Sequence, residues 1–98
     1  MAIRDEYDFE LLVNEAEALV LRELEIQLAD HSEEICRCNE CVVDMAAVAL
    51  NTVKPLYRFS LLGTLYTSQA MSEQTYAESV KEAVTAAIAK VKDNPSHD

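Results

Sequence analysis

Cys36, Cys38 and Cys41 are the only cysteines of the chain, and they fall within six positions at the head of the stretch CRCNECVVDMAAVALN. Thiolates are preferred donors for zinc, which draws tetrahedral sets of sulfur and imidazole to about 2.3 Å from each sulfur. Such a set must converge from a short, turning backbone, and a loop running into a helix start provides one. The helix N-terminus also favours thiolate over thiol. Zinc takes four ligands, and the cysteines supply three. His31, five residues before Cys36, is the candidate for the fourth; His97, a water or a partner chain are the alternatives. The spacing Cys-x-Cys-x2-Cys falls short of a double Cys-x2-Cys framework. A redox or regulatory thiol pair and chemically inert thiols therefore stand beside structural zinc as readings.

The charge pattern marks a second stretch. The chain has 98 residues and a formal net charge of -10, from 18 acids and 8 bases. That balance argues against nucleic acid and anionic membrane surfaces as general partners, because phosphate binding needs a basic footprint. Residues 1–44 hold thirteen acids and three bases, whereas residues 45–72 hold no acid and two bases, Lys54 and Arg58. An anionic ligand would be steered to this middle segment. A buried core segment that simply lacks charge reads the same way.

These residues must be held by a small scaffold. The length suits one domain, 1–98, with an ordered core of about 5–93 and a flexible C-terminal tail. Half the residues are hydrophobic, with Gly 1 and Pro 2, a composition that leans helical. A domain this small is often helped by a metal or by oligomerisation. From Asp5 to Ala29 the residues Phe9, Leu12, Val13, Ala16, Leu19, Val20, Leu24 and Leu28 recur at spacings of three and four, which predicts one long amphipathic helix. Residues 30–40 read as a polar loop. From Cys41 to Leu50 the chain is apolar on nearly every face except at Asp44, so this helix must be buried on most sides, in the core or in a dimer interface. Asn51 stands where it can end, and Pro55 interrupts the pattern. Residues 56–66 allow an extended segment, a short strand pair or a packed loop. A last helix carries the stripe Tyr76, Val80, Ala83, Val84, Ala87, Ile88 and Val91, with Ser72 or a neighbour as its cap and Asn94-Pro95 as its stop. The expected fold class is all-α: a small helical domain with a long N-terminal helix, a buried central helix and a C-terminal helix. No apolar run approaches the about 20 residues that span a bilayer. The acidic start MAIRDEYDFE is unlike a signal peptide, so the expected compartment is the cytoplasm, where thiols stay reduced.

The segment CRCNECVVDMAAVALNTVKPLY resembles the core signature of the late competence development ComFB family. The shared features are Cys36, Cys38 and Cys41 leading into a buried helix, Asp44 early in it, Ala49-Leu50-Asn51 closing it, and Pro55 and Tyr57 following. LLVNEAEALVLREL resembles the family's opening helix, and the likeness covers roughly residues 10–60. The resemblance implies a small, mainly helical protein that forms a symmetric homodimer. It also implies zinc held through cysteines in some members. Further, it implies a receptor for the second messenger cyclic di-GMP that acts on competence, pili or motility through a partner protein. The chain departs from a fully cysteine-ligated site in having three cysteines.

Cyclic di-GMP needs cations or N–H groups for two phosphates, flat groups against two guanines, and polar side chains at the guanine edges. Asn51, Lys54, Pro55, Tyr57 and Arg58 offer these types close together. Asp44 lies seven residues before Asn51, two helical turns, and so shares its face. A two-fold dimer would present the set twice to a two-fold ligand. Each has a plainer reading, Tyr57 as a core aromatic and Asp44 and Asn51 as helix caps or bridges. The competing function is a zinc-stapled interaction module whose acidic surface engages a basic partner without any small ligand. An enzyme is not expected: the chain has no Gly-rich phosphate loop, no His-Glu-x2-His and no nucleophile–base set.

Overall fold

The computed structural model describes residues 2–31, 34–60 and 74–95. In chain order these form α1 (Ile3–Glu6), a 3-10 turn (Phe9–Leu11), β1 (Val13–Asn14), α2 (Glu15–Asp30), α3 (Asn39–Leu50), β2 (Tyr57–Arg58) and α4 (Gln74–Asp93). The fold is mostly helical. Helices α2, α3 and α4 pack on one another, with α4 lying most extensively against α3. β1 and β2 form a two-residue antiparallel ladder, Val13 opposite Arg58 and Asn14 opposite Tyr57.

The core is built where the helical periods coincide. All seven stripe residues of α4 are buried. They meet Ala16, Val20 and Leu24 of α2 and Cys41, Met45, Ala46 and Ala49 of α3. Val53 and Leu56, just past α3, close one end of this cluster. Each large apolar side chain so buried contributes about 1.5–3 kcal/mol relative to solvent. Small buried residues on α3 and α4, such as Ala49 and Ala87, allow the helix axes to approach closely.

The long helix expected over residues 5–29 does not form as one element. It begins at Glu15, and Phe9, Leu12 and Val13, which keep the helical spacing, are exposed. Asn14 is the reason. Its side-chain Oδ1 accepts from Ala16 N at 3.2 Å, capping α2, and from Leu56 N at 2.7 Å. Glu15 N also donates to Leu56 O at 2.8 Å. The chain before α2 is thereby drawn out along residues 57–58 instead of winding on. α3 begins at Asn39, with Cys38 as its N-cap, and ends at Asn51 as expected. It is buried on one face in this chain, while Val43 and Ala47 on the other face are exposed. Of the segment after Leu56, Tyr57–Arg58 is extended and pairs with Val13–Asn14. Residues 61–66 of that segment, the expected cap Ser72, and the tail with His97 lie outside the described residues. Among the described residues no helix is long and apolar enough to cross a membrane.

Candidate functional site

The cysteines lie where the link after α2 turns into α3. Their three sulfur atoms are all within 4.8 Å of one another. Cys41 is buried, Cys36 half-buried and Cys38 exposed. Cys38 holds extended dihedrals as the N-cap, and its Sγ accepts from Cys41 N at 3.4 Å. A thiolate accepts such a bond more strongly than a thiol. This cap accounts for the spacing of the last two cysteines, since the N-cap side chain reaches the amide three residues on. The three cysteines could hold a metal ion. His31 is the C-cap of α2, half-buried, and is not part of the cysteine group.

The other predicted residues lie along the link from α3 to β2. Asn51 closes α3, its Nδ2 donating to Ala47 O at 2.9 Å, and Thr52 Oγ1 donates to Val48 O at 3.1 Å. These bonds cover carbonyls at the negative end of the helix, which would otherwise repel an anion. Asn51, Lys54 and Pro55 are exposed, and Asp44 is half-buried one face-repeat back along α3. Tyr57 is 55% exposed, so it is no core aromatic. The buried aromatic here is Tyr76 of α4, whose hydroxyl donates to Lys54 O at 2.8 Å and so anchors the link. Burial raises the Tyr76 pKa above its usual 10.0, and the nearby Lys54 charge partly opposes this.

Tyr57 and Arg58 are successive strand residues and point to opposite faces of the ladder. The structure therefore does not gather them on one side. Arg58 Nε donates to Glu15 Oε1 at the start of α2, and the two form an ion pair. Glu15 is the residue the sequence reading missed. Its signal was the run Asn14-Glu15-Ala16-Glu17, an N-cap followed by acids in a first helical turn.

The geometry defines a small helical protein with a cysteine-led central helix and an exposed polar link behind it. The family model described as "Late competence development protein ComFB" matches residues 13–95, and the chain belongs to the ComFB family. Among solved structures it is similar to the late competence protein ComFB from Bacillus subtilis, with 25% sequence identity and a TM-score of 0.69. That alignment covers 87% of this chain and 92% of the other. No curated protein matches the sequence.

Proposed function

We propose that this ComFB-family protein is a non-catalytic receptor module for cyclic di-GMP. It acts as a homodimer in the cytoplasm, the whole chain serving as one domain, and passes its ligand state to a partner protein in competence, pili or motility. The observation that carries this reading is the link from α3 to β2, an acid-free stretch that leaves Lys54 and Tyr57 exposed, with Arg58 next in the chain on the opposite face of the ladder. Lys54 and Arg58 would engage phosphate, Tyr57 would stack on a guanine, and Asp44 and Asn51 would meet guanine edges. Pro55 stiffens the link between them. Arg58 must leave Glu15, or share it, to reach the ligand. The test is calorimetric titration with cyclic di-GMP, with GTP and cyclic di-AMP as controls. Selective micromolar binding that is lost in Arg58→Ala, with the circular dichroism unchanged, supports the reading. No heat from folded protein sinks it.

A second reading, a zinc-stapled interaction module with an acidic surface, is favoured by the cysteine geometry. Tetrahedral zinc at about 2.3 Å from each sulfur requires sulfurs about 3.8 Å apart. The sulfurs here lie within 4.8 Å of one another, so a contraction of about 1 Å or less would fit the ion. Cys36, Cys38 and Cys41 would hold it, and His31, a water or a partner group would complete it. The ion would supply cross-linking between the link and α3. Zinc bound at one per chain, and lost in Cys38→Ser, supports the staple; zinc-free protein of equal stability opposes it.

A further inference from the structure

Cys38 and Cys41 form a Cys-x2-Cys pair that starts on a helix N-cap, and the two differ in what can reach them. Cys38 is exposed. Cys41 is 1% exposed and belongs to the hydrophobic core. The bond from Cys41 N to Cys38 Sγ, 3.4 Å long, sets the first sulfur over the backbone of the second residue. The sulfurs of all three cysteines lie within 4.8 Å of one another. A disulfide needs about 2.05 Å between its sulfurs and a Cα separation of about 4.4–6.8 Å. Residues three apart on a helix are about 5 Å apart at Cα, so rotation of the two side chains can close the bridge while the backbone stays in place. Cys36 is placed differently. It precedes the cap, is half-buried and packs against the core.

We propose that Cys38 and Cys41 are a thiol–disulfide exchange site, with Cys38 as the entry thiol, Cys41 as the resolving thiol and a low-molecular-weight disulfide as the oxidant. Cys38 Sγ attacks one sulfur of the incoming disulfide. A mixed disulfide forms, the oxidant's S–S bond breaks and one thiol leaves. Cys41 Sγ then attacks Cys38 Sγ, the protein disulfide forms, the mixed bond breaks and the second thiol leaves. The protons of the two cysteines pass through solvent to the two departing thiolates. The pair loses two electrons and the oxidant gains them. Where thiols are kept reduced, a disulfide of this kind is transient and serves sensing or catalysis. The site is separate from the link that the cyclic di-GMP reading uses. It shares its sulfurs with the zinc reading, so oxidation takes two of the three cysteine donors from any ion held there.

The test is titration of the full chain with glutathione disulfide, as purified and after treatment with excess EDTA, with zinc counted before and after. The samples are quenched in acid, alkylated and digested with trypsin for mass analysis. Cleavage after Arg37 puts Cys36 on one peptide and Cys38 with Cys41 on the next. The expected result in both samples is an alkylated Cys36 and an internal disulfide in the peptide that begins at Cys38, reversed by dithiothreitol. Any zinc in the untreated sample should be released as the bridge forms. Serine is a good N-cap, so Cys38→Ser should keep α3, which circular dichroism checks. Its oxidation should slow about tenfold or more, because Cys41 is covered. Peptides cross-linked through Cys36, oxidation of Cys38→Ser at the parent rate, or three alkylated cysteines in excess oxidant overturn the proposal. So does a bridge that forms only after EDTA treatment, which marks the sulfurs as a metal site alone. The zinc count before oxidation tests the staple by itself, so the two readings fail separately.

Discussion

At the residue scale the site is a competition between partners. Arg58 and Glu15 are both partly exposed, so their ion pair is worth about 1 kcal/mol or less. Glu15→Gln should therefore cost about 1 kcal/mol in denaturant unfolding, with its charge at the start of α2 included. It should also tighten cyclic di-GMP several-fold by calorimetry, because Arg58 is released. Asn14 holds two backbone donors, Ala16 N and Leu56 N. Asn14→Ala should cost about 1–2 kcal/mol, and Asn14→Asp less. Tyr76 gives a signature in pH. Its folded pKa is raised above 10.0, so the unfolded chain loses the phenolic proton first. The stabilisation is complete below pH 10 and falls away as pH rises from there through the folded value. In Tyr76→Phe this alkaline loss should disappear, with about 1 kcal/mol lost at neutral pH through the bond to Lys54 O. Equal alkaline slopes for the two proteins, by urea unfolding, would contradict the assignment.

At the element scale, legibility followed the range of the interaction. The stripe of α4 was readable because its burial repeats one local period for the length of the helix. The first helix misled because Phe9, Leu12 and Val13 keep that period, while the contacts that end it reach from Asn14 and Glu15 to Leu56, over forty residues away. Spacing reports which residues could share a face, and not where a distant strand takes the backbone. The cysteines were legible for the converse reason: they lie within six positions, and the cap bond from Cys41 N to Cys38 Sγ joins neighbours three apart. Glu15 as the partner of Arg58 was not, being 43 positions away. In α3 the apolar pattern fails to say which face this chain buries. Met45→Ala should cost about 2–5 kcal/mol, as for a fully buried side chain. Val43→Ala should change stability by no more than about 0.5 kcal/mol, since it is exposed. Equal costs in chemical denaturation would show that a second surface covers Val43.

At the scale of the molecule, the radius of gyration is 15.5 Å, against about 13 Å for a compact chain of this length. The extents of 44 × 38 × 18 Å describe a plate less than two helix diameters thick. The N-terminal arm accounts for part of this spread, as neither α1 nor the 3-10 turn buries a residue. Removal of residues 2–12 should leave unfolding within about 0.5 kcal/mol of the full chain, because none of these residues is buried. The charge is likewise partitioned, with acids gathered over residues 1–44 and none over 45–72. A ligand with two phosphates is thus directed away from the arm and α2 and toward the link between α3 and β2. The most direct measurement of that claim is the amide chemical-shift map of the isotope-labelled protein as cyclic di-GMP is added. Saturable shifts concentrated from Asn51 to Arg58, with Asp44 and the Glu15 amide following, are expected. Shifts confined to the arm and α2–α3 groove, or none at saturating nucleotide, would contradict it.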